Sequence, residues 1–346
     1  MRPSWVRALA FIALLLSLAV PARADLMADF VSTWSSTFGA LADPNTGLTM
    51  FPLLRMPMGG RPEGMGGAYA AFGGGAEGLD ANPAGSALMK GGELTFSHRN
   101  AISDSSIEGV AAAGNAGPFG FGAFAKVFFV PFTRYDTSGL PAGTGYFTEA
   151  VMAGNVAIQL LPLSGNGGIA AGANLKAAAR IVPEAIAQGQ SALAFAMDMG
   201  LLARFRMPSF SSPGSANFGA GAVLRNVKMS AIPAGYPLPT LLSLGVAYAP
   251  VSPFTVDVDV NIPVSLEGGR VPVESVDGAV GFEVRMSGFA AVHAGFRLKG
   301  DNPRLAVGAR LGIGPLDLVV NYALDLMGGV NPLENYSVAA TVSLWD

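Results

Sequence analysis

Fourteen short stretches of largely apolar residues, separated by turn-forming residues, follow one another from residue 93 to the end of the chain. Several alternate between apolar and polar residues, as in the run V-D-V-D-V-N from Val256 to Asn261. In an extended strand, this alternation places apolar side chains on one face and polar side chains on the other. We therefore predict β-strands at about 93–99, 106–115, 118–130, 146–160, 167–180, 190–206, 215–228, 240–249, 253–262, 276–286, 288–299, 303–313, 315–326 and 335–345.

The hydrophobicity of the chain leaves two possible architectures for an all-β protein. Hydrophobic residues make up 51% of the chain and charged residues 13%, about half the charged fraction that is usual in soluble proteins. After residue 24, no apolar run reaches the roughly 18 residues that indicate a transmembrane helix. Such a chain forms either a large β-sandwich or a barrel whose apolar face meets lipid.

The connecting segments favour the barrel. Long connectors follow odd-numbered strands, at Pro131–Gly145, Ile181–Gly189, Met229–Pro239, Pro263–Ser275 and Met327–Glu334. Most connectors after even-numbered strands are short turns, with Met207–Gly214 as an exception. Long loops at one end, short turns at the other and an even strand count are typical of outer-membrane barrels. In hydrocarbon, a sheet must also close on itself so that no backbone group is left unpaired.

The first 24 residues have the features of a cleaved signal peptide. Two arginines precede an apolar stretch from Ala8 to Val20, and Ala22-Arg23-Ala24 forms an A-x-A cleavage site. The chain contains no cysteine, so lipoprotein acylation and disulfides are excluded. Residues 25–60 are predicted to form an amphipathic helix, over about 25–43, followed by an extended lead-in.

A glycine-rich stretch, residues 61–92, comes directly before the first predicted strand. It contains G-M-G-G-A-Y from Gly64 to Tyr69 and D-A-N-P-A-G from Asp80 to Gly85. Asn82-Pro83 is typical of a helix start, with Asn as N-cap and Pro in the first turn. The two motifs, followed by E-L-T-F-S-H, resemble the N-terminal hatch of FadL-type outer-membrane proteins, the long-chain fatty-acid transporter superfamily, and especially its small PorV-like members.

The resemblance implies a transmembrane antiparallel barrel of about 14 strands, residues 93–346, with the glycine-rich hatch plugging the lumen. In that family a hydrophobic substrate binds against the hatch and leaves through a gap at a kinked third strand. Gly120 and Gly122 are the candidates for such a kink here. The outer loops of this chain are shorter than those of the large transporters. The residues that match the hatch motif are Gly64, Gly66, Gly67, Asp80, Asn82, Pro83 and Ala84.

Polar residues of the predicted strands are expected to face the lumen, where they hold the hatch or line a water path. These lumenal candidates are Asp257, Asp259, Asn261, Glu283, Arg285, Arg310, Asp317, Asn321 and Asp325. On the last strand, Tyr336 to Leu344 presents an apolar face, and a regular strand places Trp345 on the opposite face. Outer-membrane barrels usually end in an aromatic residue on the apolar face, so the register of this strand stays open.

Motifs for catalysis or metal binding are not found. His98 and His293, the two histidines, lie on different predicted strands, and the chain has neither a G-x-S-x-G elbow nor a P-loop. The spacing of Asp257, Asp259 and Asn261 along a strand is too wide for one ion. A formal net charge of −3 without a basic stretch argues against nucleic acid. We expect no catalytic residue, no metal and no cofactor.

Two functions remain open for a barrel in the bacterial outer membrane, with the lipid bilayer as its surroundings. The first is passive uptake of long-chain fatty acids or other hydrophobic small molecules through the hatch-plugged lumen. The second is a non-transporting scaffold or shuttle for secretion or surface-protein partners, as in PorV-like proteins. A soluble exported β-sandwich or adhesin is the third possibility.

Overall fold

The computed structural model describes residues 49–101, 104–165, 167–184, 186, 189–210, 215–233, 237–264, 266, 276–299, 302–326 and 333–345. The predicted signal peptide and the predicted helix at 25–43 lie outside these residues. Within the described part of the chain, no helix is long and apolar enough to cross a membrane.

Fourteen antiparallel strands close into one barrel, in which neighbours in sequence pair with each other and β1 pairs with β14. Closure leaves no open sheet edge, which rules out the sandwich and confirms the predicted all-β barrel and its strand count. The strands are β1 (Gly92–Asn100), β2 (Ser106–Ala116), β3 (Phe119–Tyr135), β4 (Pro141–Leu163), β5 (Gly167–Ile181), β6 (Ala192–Phe205), β7 (Phe218–Ile232), β8 (Leu241–Val251), β9 (Phe254–Pro263), β10 (Asp277–Arg285), β11 (Ala290–Lys299), β12 (Asn302–Ile313), β13 (Leu316–Asp325) and β14 (Leu333–Trp345).

The strands turn their polar residues inward and their apolar residues outward. On β9, Asp257 and Asp259 are 0% and 2% exposed, whereas Val258 between them is 42% exposed. Exposed apolar side chains recur around the wall, among them Phe96, Met152, Val156, Leu175, Leu201, Val246, Val307 and Val320. This pattern is the reverse of a soluble protein's and is typical of a barrel wall in lipid.

Aromatic rings gather on the outer face near the short turns. The centroids of Phe205 and Phe218 are 4.8 Å apart, and those of Phe218 and Tyr248 are 6.0 Å apart. Phe254 stacks on Phe282, also at 6.0 Å. Aromatic girdles mark the level where a barrel wall leaves the hydrocarbon, so the short-turn end lies at one membrane interface.

A bulge at the end of β14 changes the expected position of Trp345. Gly92 pairs with Trp345 and Glu93 with Ser343, which leaves Leu344 as an extra residue. The indole packs over Gly92, which faces outward with Phe96. The expectation that Trp345 faces away from the apolar side of β14 is therefore wrong, because it assumed a strand without a bulge.

Strands β3 and β4 extend beyond their neighbours as a two-stranded ribbon. The pairing of β3 with β2 ends at Phe129, and the pairing of β4 with β5 begins at Thr148. Residues 130–135 and 141–147 therefore pair only with each other. The sequence predicted a loop over Pro131–Gly145. Most of that range is strand, because cross-strand pairs such as Phe132 with Gly145 extend the ladder.

Candidate functional site: the barrel interior

Residues 49–91, here called the N-terminal segment, precede β1 and lie inside the barrel. They form 3₁₀ turns at Pro52–Arg55, Ala76–Gly78 and Pro83–Leu88, and one α-helical turn, α1 (Arg61–Gly64). The segment contacts or closely approaches residues of all fourteen strands. Because the wall is closed, a segment within reach of every strand is surrounded by it.

The first glycine motif brings the segment's backbone against the wall. A β-carbon at Gly64 would collide with the side chain of Asn321 on β13. One at Gly66 would lie 2.9 Å from the backbone nitrogen of Phe296 on β11. Gly66 and Gly67 have φ angles of 68° and 90°, a region that favours glycine. The motif is therefore explained by close approach and by turn geometry.

Asp80 lies between two lysines that project inward from the wall. Its carboxylate is 2.6 Å from Nζ of Lys126 on β3 and 3.0 Å from Nζ of Lys176 on β5. Both lysines are 0% exposed, and Lys176 also contacts Asp198 on β6 at 2.7 Å. Burial alone would raise the pKa of Asp80, but the two ammonium groups outweigh it and hold the pKa below its usual value. Asp80 thus joins the segment to two strands.

Asn82 holds the next turn. Its Oδ1 accepts the N–H of Ala84 at 3.0 Å, as an N-cap does. Its Nδ2 donates to the carbonyls of Ala70 and Leu201 at 2.8 and 3.1 Å. Pro83 starts the 3₁₀ turn, and Ala84 is fully buried. The second motif therefore bonds both within the segment and to β6.

Two carboxylates of β9 accept hydrogen bonds from the middle of the segment. Asp259 accepts the backbone N–H groups of Tyr69 and Ala70 at 2.8 and 2.9 Å. Asp257 accepts the N–H of Phe72 at 3.2 Å. These three hydrogen bonds fix residues 69–72 against β9.

Charged residues surround α1. Arg61 donates to Glu283 on β10 at 2.7 Å. Glu63 lies 3.4 Å from Arg99 on β1 and also pairs with Arg304 on β12. Burial would raise the pKa of Glu63, but the two guanidinium groups lower it below its usual value. These pairs tie α1 to three strands.

The other predicted lumenal residues also face inward, but only Asn321 among them bonds to the N-terminal segment in the hydrogen bonds of the described residues. It donates to the carbonyl of Gly60 at 2.8 Å. The rest form pairs within the wall, joining Arg285 to Glu283, Arg310 to Asp317, Asn261 to Asp277 and Asp325 to Arg304. The structure thus divides the predicted set into residues that hold the segment and residues that pair within the wall.

A cavity of about 960 Å³ lies between the segment and the short turns. Phe72, Glu77 and Arg204 line it, together with residues next to the turns. Glu77 accepts the backbone N–H of Arg61 at 3.0 Å and the hydroxyl of Tyr69 at 3.3 Å. Burial raises the pKa of Glu77 to about 7, against the lowering effect of Arg61.

The interior next to β2–β6 is largely apolar towards the long loops. There the apolar turn, residues 50–54, buries Phe51 and Leu53 completely and leaves Leu54 2% exposed. The apolar wall residues of this chamber are Ile107, Ala111, Phe124, Val151, Ala153, Ala178, Ala192, Ala194 and Ala196. Between them, the paired charges of Lys126, Glu149, Lys176 and Arg180 also face inward. Because the apolar wall side chains are mainly alanine, the large side chains of the segment fill the chamber.

Gly120 and Gly122 lie in a regular part of β3. The pairing with β2 and with β4 runs through both positions without a register shift, so β3 has no bulge or gap there. A β-carbon at Gly120 would lie 2.6 Å from the hydroxyl of Ser86, and one at Gly122 would lie 2.8 Å from the side chain of Leu79. The two glycines therefore make room for the segment.

Sequence reasoning missed the wall partners of Asp80. Lys126, Lys176 and Asp198 each lie between apolar neighbours in mid-strand, as in A-F-A-K-V-F-F. A charge inside a membrane protein requires an internal partner, and that rule points to the acidic residues of the glycine-rich stretch. The signal was present, but it needed the strand register to be known.

The closed fourteen-stranded wall, apolar on its outer face, and the internal segment define a class, the outer-membrane-type β-barrels. The structure is similar to the Ralstonia pickettii toluene transporter TbuX, with a TM-score of 0.52 and 14% identity over 86% of this chain and 99% of that one. It is also similar to the P. putida toluene transporter TodX, with a TM-score of 0.50 and 10% identity over 83% and 98%. At these identities, the likeness concerns the fold alone.

The chain belongs to the Uncharacterised protein family (UPF0164), whose model matches residues 30–344. A protein of Treponema pallidum (strain Nichols) called "UPF0164 protein" is 28% identical over 339 residues, which are 94% of this chain and 76% of the relative. Two more proteins of that name and organism are 32% and 35% identical over 172 and 148 residues. Those alignments span 51% and 35% of the relatives' lengths, so the chain matches about half or less of each.

Proposed function

We propose that this protein is a barrel of the bacterial outer membrane that admits hydrophobic small molecules passively, with long-chain fatty acids among the candidates. In this proposal the N-terminal segment acts as a hatch that plugs the lumen, and the protein has no enzymatic activity. A cleaved signal peptide at residues 1–24 would direct its export.

The apolar chamber beside the segment is the observation that carries the proposal. A barrel that only conducts water and ions has a polar interior, whereas this interior places Phe51, Leu53 and Leu54 against an apolar wall. Ligand sites for hydrophobic molecules are concave and mostly apolar. The fold shared with proteins named as toluene transporters supports the same conclusion.

The test is uptake in a Gram-negative host that lacks its own channel for such molecules. Cells that express the barrel should take up labelled oleate and labelled toluene faster than cells with an empty vector, and a labelled disaccharide should stay outside. Asp80→Asn should admit the disaccharide as well, because it loosens the hatch. Asp317→Asn, which changes a wall pair at the rim, is the matched control and should behave like the wild type. A folded barrel with no uptake of either tracer would refute transport.

The β3–β4 ribbon favours a scaffold as the second candidate function. Tyr135 and Tyr146 are 65% and 54% exposed on it, and exposed aromatic residues are enriched at protein interfaces. Shortening the ribbon by residues 131–145 separates the two functions. A transporter should keep its uptake, whereas a scaffold should lose a partner that purifies with the full-length barrel.

A further inference from the structure

The N-terminal segment is held to the wall very unevenly. From Arg55 onward, the segment is joined to the wall by polar contacts. Arg55 pairs with Asp277 on β10, and the residues after it form the ion pairs and hydrogen bonds described above. The apolar turn, residues 50–54, has no charged side chain and therefore no ion pair, and three backbone hydrogen bonds of the described residues attach it. Met50 donates to the carbonyl of Pro237 at 3.0 Å, Leu53 donates to Glu149 at 3.3 Å, and the carbonyl of Leu54 accepts from an asparagine of β7 at 3.4 Å.

The backbone of the apolar turn also adopts an unfavourable conformation. Phe51 has φ 58° and ψ 64°, the left-handed region that a bulky residue other than glycine rarely occupies. Such a conformation persists only when the surroundings enforce it. Here the enforcement comes from burial of the Phe51 ring in the apolar chamber, so another occupant of that space would remove it.

The charged side chains next to the ring of Phe51 are paired with each other, so the chamber carries no unbalanced charge at that position. The guanidinium of Arg180 lies over the ring of Phe51, 5.4 Å from its centroid, and over that of Phe147 at 5.7 Å. Arg180 is itself paired with Glu149 at 2.6 Å. A cation over an aromatic face attracts any aromatic ring placed there, whereas the compensated pair gives an anionic ligand no free positive charge.

This inference rests on the proposed function. We propose that the apolar turn occupies a ligand chamber, and that a compact uncharged aromatic or aliphatic molecule enters this chamber by displacing residues 50–54 alone. The ligand's ring or chain takes the place of Phe51, Leu53 and Leu54 against the alanine-rich wall of β2–β6. The part of the segment from Arg55 to Lys90 stays bound to the wall throughout.

Cysteine accessibility tests this division, because the chain has no native cysteine. Leu53→Cys places a thiol on the turn, and Ser86→Cys is the matched control, since Ser86 is 1% exposed in the part that stays bound. Both are reconstituted in vesicles and treated with a membrane-impermeant maleimide, with toluene, with oleate or without ligand. Heat-modifiable gel mobility verifies the fold, and Leu54→Cys replaces Leu53→Cys if that variant does not fold.

Toluene should raise the labelling rate of Leu53→Cys roughly tenfold, the effect of a 1.4 kcal/mol shift in the opening equilibrium, and leave Ser86→Cys unchanged. Oleate should have a smaller effect. An equal rise at both positions would mean that the whole segment moves, and would overturn the inference. No rise at Leu53→Cys would overturn it too. Toluene uptake by cells that express the same variants is measured separately. If labelling does not rise but uptake persists, this inference fails and the proposed function stands; if uptake is absent as well, both fail.

Discussion

Replacing Asp80 by Asn should release the N-terminal segment from the wall without unfolding the barrel. The change removes the carboxylate that lies 2.6 Å from Lys126 and 3.0 Å from Lys176. Lys176 keeps Asp198 as its partner, at 2.7 Å. Among the contacts of the described residues, Lys126 keeps the carbonyl of Met56, at 2.6 Å, and loses its counter-ion.

The size of the effect follows from that orphaned lysine. Removing one partner of a buried ion pair costs about 3–5 kcal/mol. At 1.4 kcal/mol for each factor of ten, the equilibrium between released and bound segment shifts by roughly 100- to 4,000-fold. The barrel's own strand pairing is untouched, so the free energy is lost from segment binding.

Single-channel conductance in planar lipid bilayers measures this equilibrium, because in the proposed function a lumen from which the segment is released conducts ions. We expect rare openings for the wild type and long openings for Asp80→Asn. Asp317→Asn is the matched control, since Asp317 and Arg310 are 31% and 21% exposed, and such pairs contribute only about 0–1 kcal/mol.

A second variant tests the cause of the effect. In Asp80→Asn with Lys126→Met the orphaned charge is removed, so most of the closed state should return. The reasoning fails if Asp80→Asn conducts no more than Asp317→Asn, or if the double variant is as open as the single one.

Three further perturbations follow from the structure. Burial raises the pKa of Glu77 to about 7, so the stability linked to its protonated form is complete below the unfolded value of 4.5 and lost as pH rises through 7; in Glu77→Gln, the urea concentration at the midpoint of unfolding should no longer fall between about pH 4.5 and 7, as measured in urea titrations at several pH values. Gly172→Ala places a β-carbon 2.5 Å from the Pro83 carbonyl and should cost about 1–3 kcal/mol, seen as faster proteolysis of the segment; Gly154→Ala, which meets nothing within 4 Å, should not. Val258→Arg should destabilise the barrel by about 2–4 kcal/mol in refolding titrations into vesicles, and Val258→Ala far less.

The architecture was predictable because each strand has its own local signal. Runs such as V-D-V-D-V-N show the strand period directly, and connector lengths indicate which turns share an end of the barrel. The ribbon of β3 and β4 was missed because Pro131 and several glycines gave its residues the composition of a loop. The side change of Trp345 was missed because a bulge depends on pairing with β1, which is distant in sequence.

The interior was predictable only in part. The glycine and Asn-Pro motifs located the segment's turns, since those residues act through local backbone geometry. Their wall partners depend on the register of several strands at once, so Lys126 and Lys176 could not be assigned to Asp80. Gly120 and Gly122 illustrate the same limit of sequence reasoning. A glycine that makes room for a packed neighbour and a glycine that bends a strand look alike in a sequence.

The enclosed segment also sets an order of events for biogenesis. Its residues come before β1 in the chain, yet the wall around them is completed only when β14 pairs with β1, as in the contact of Thr95 with Thr341 across 246 positions. Threading the segment, residues 49–91, through a finished barrel would require its charged side chains to leave water before they reach their wall partners. We therefore expect the segment to take its place while the sheet is still open, with its bonds to the early strands formed before β14 closes the wall.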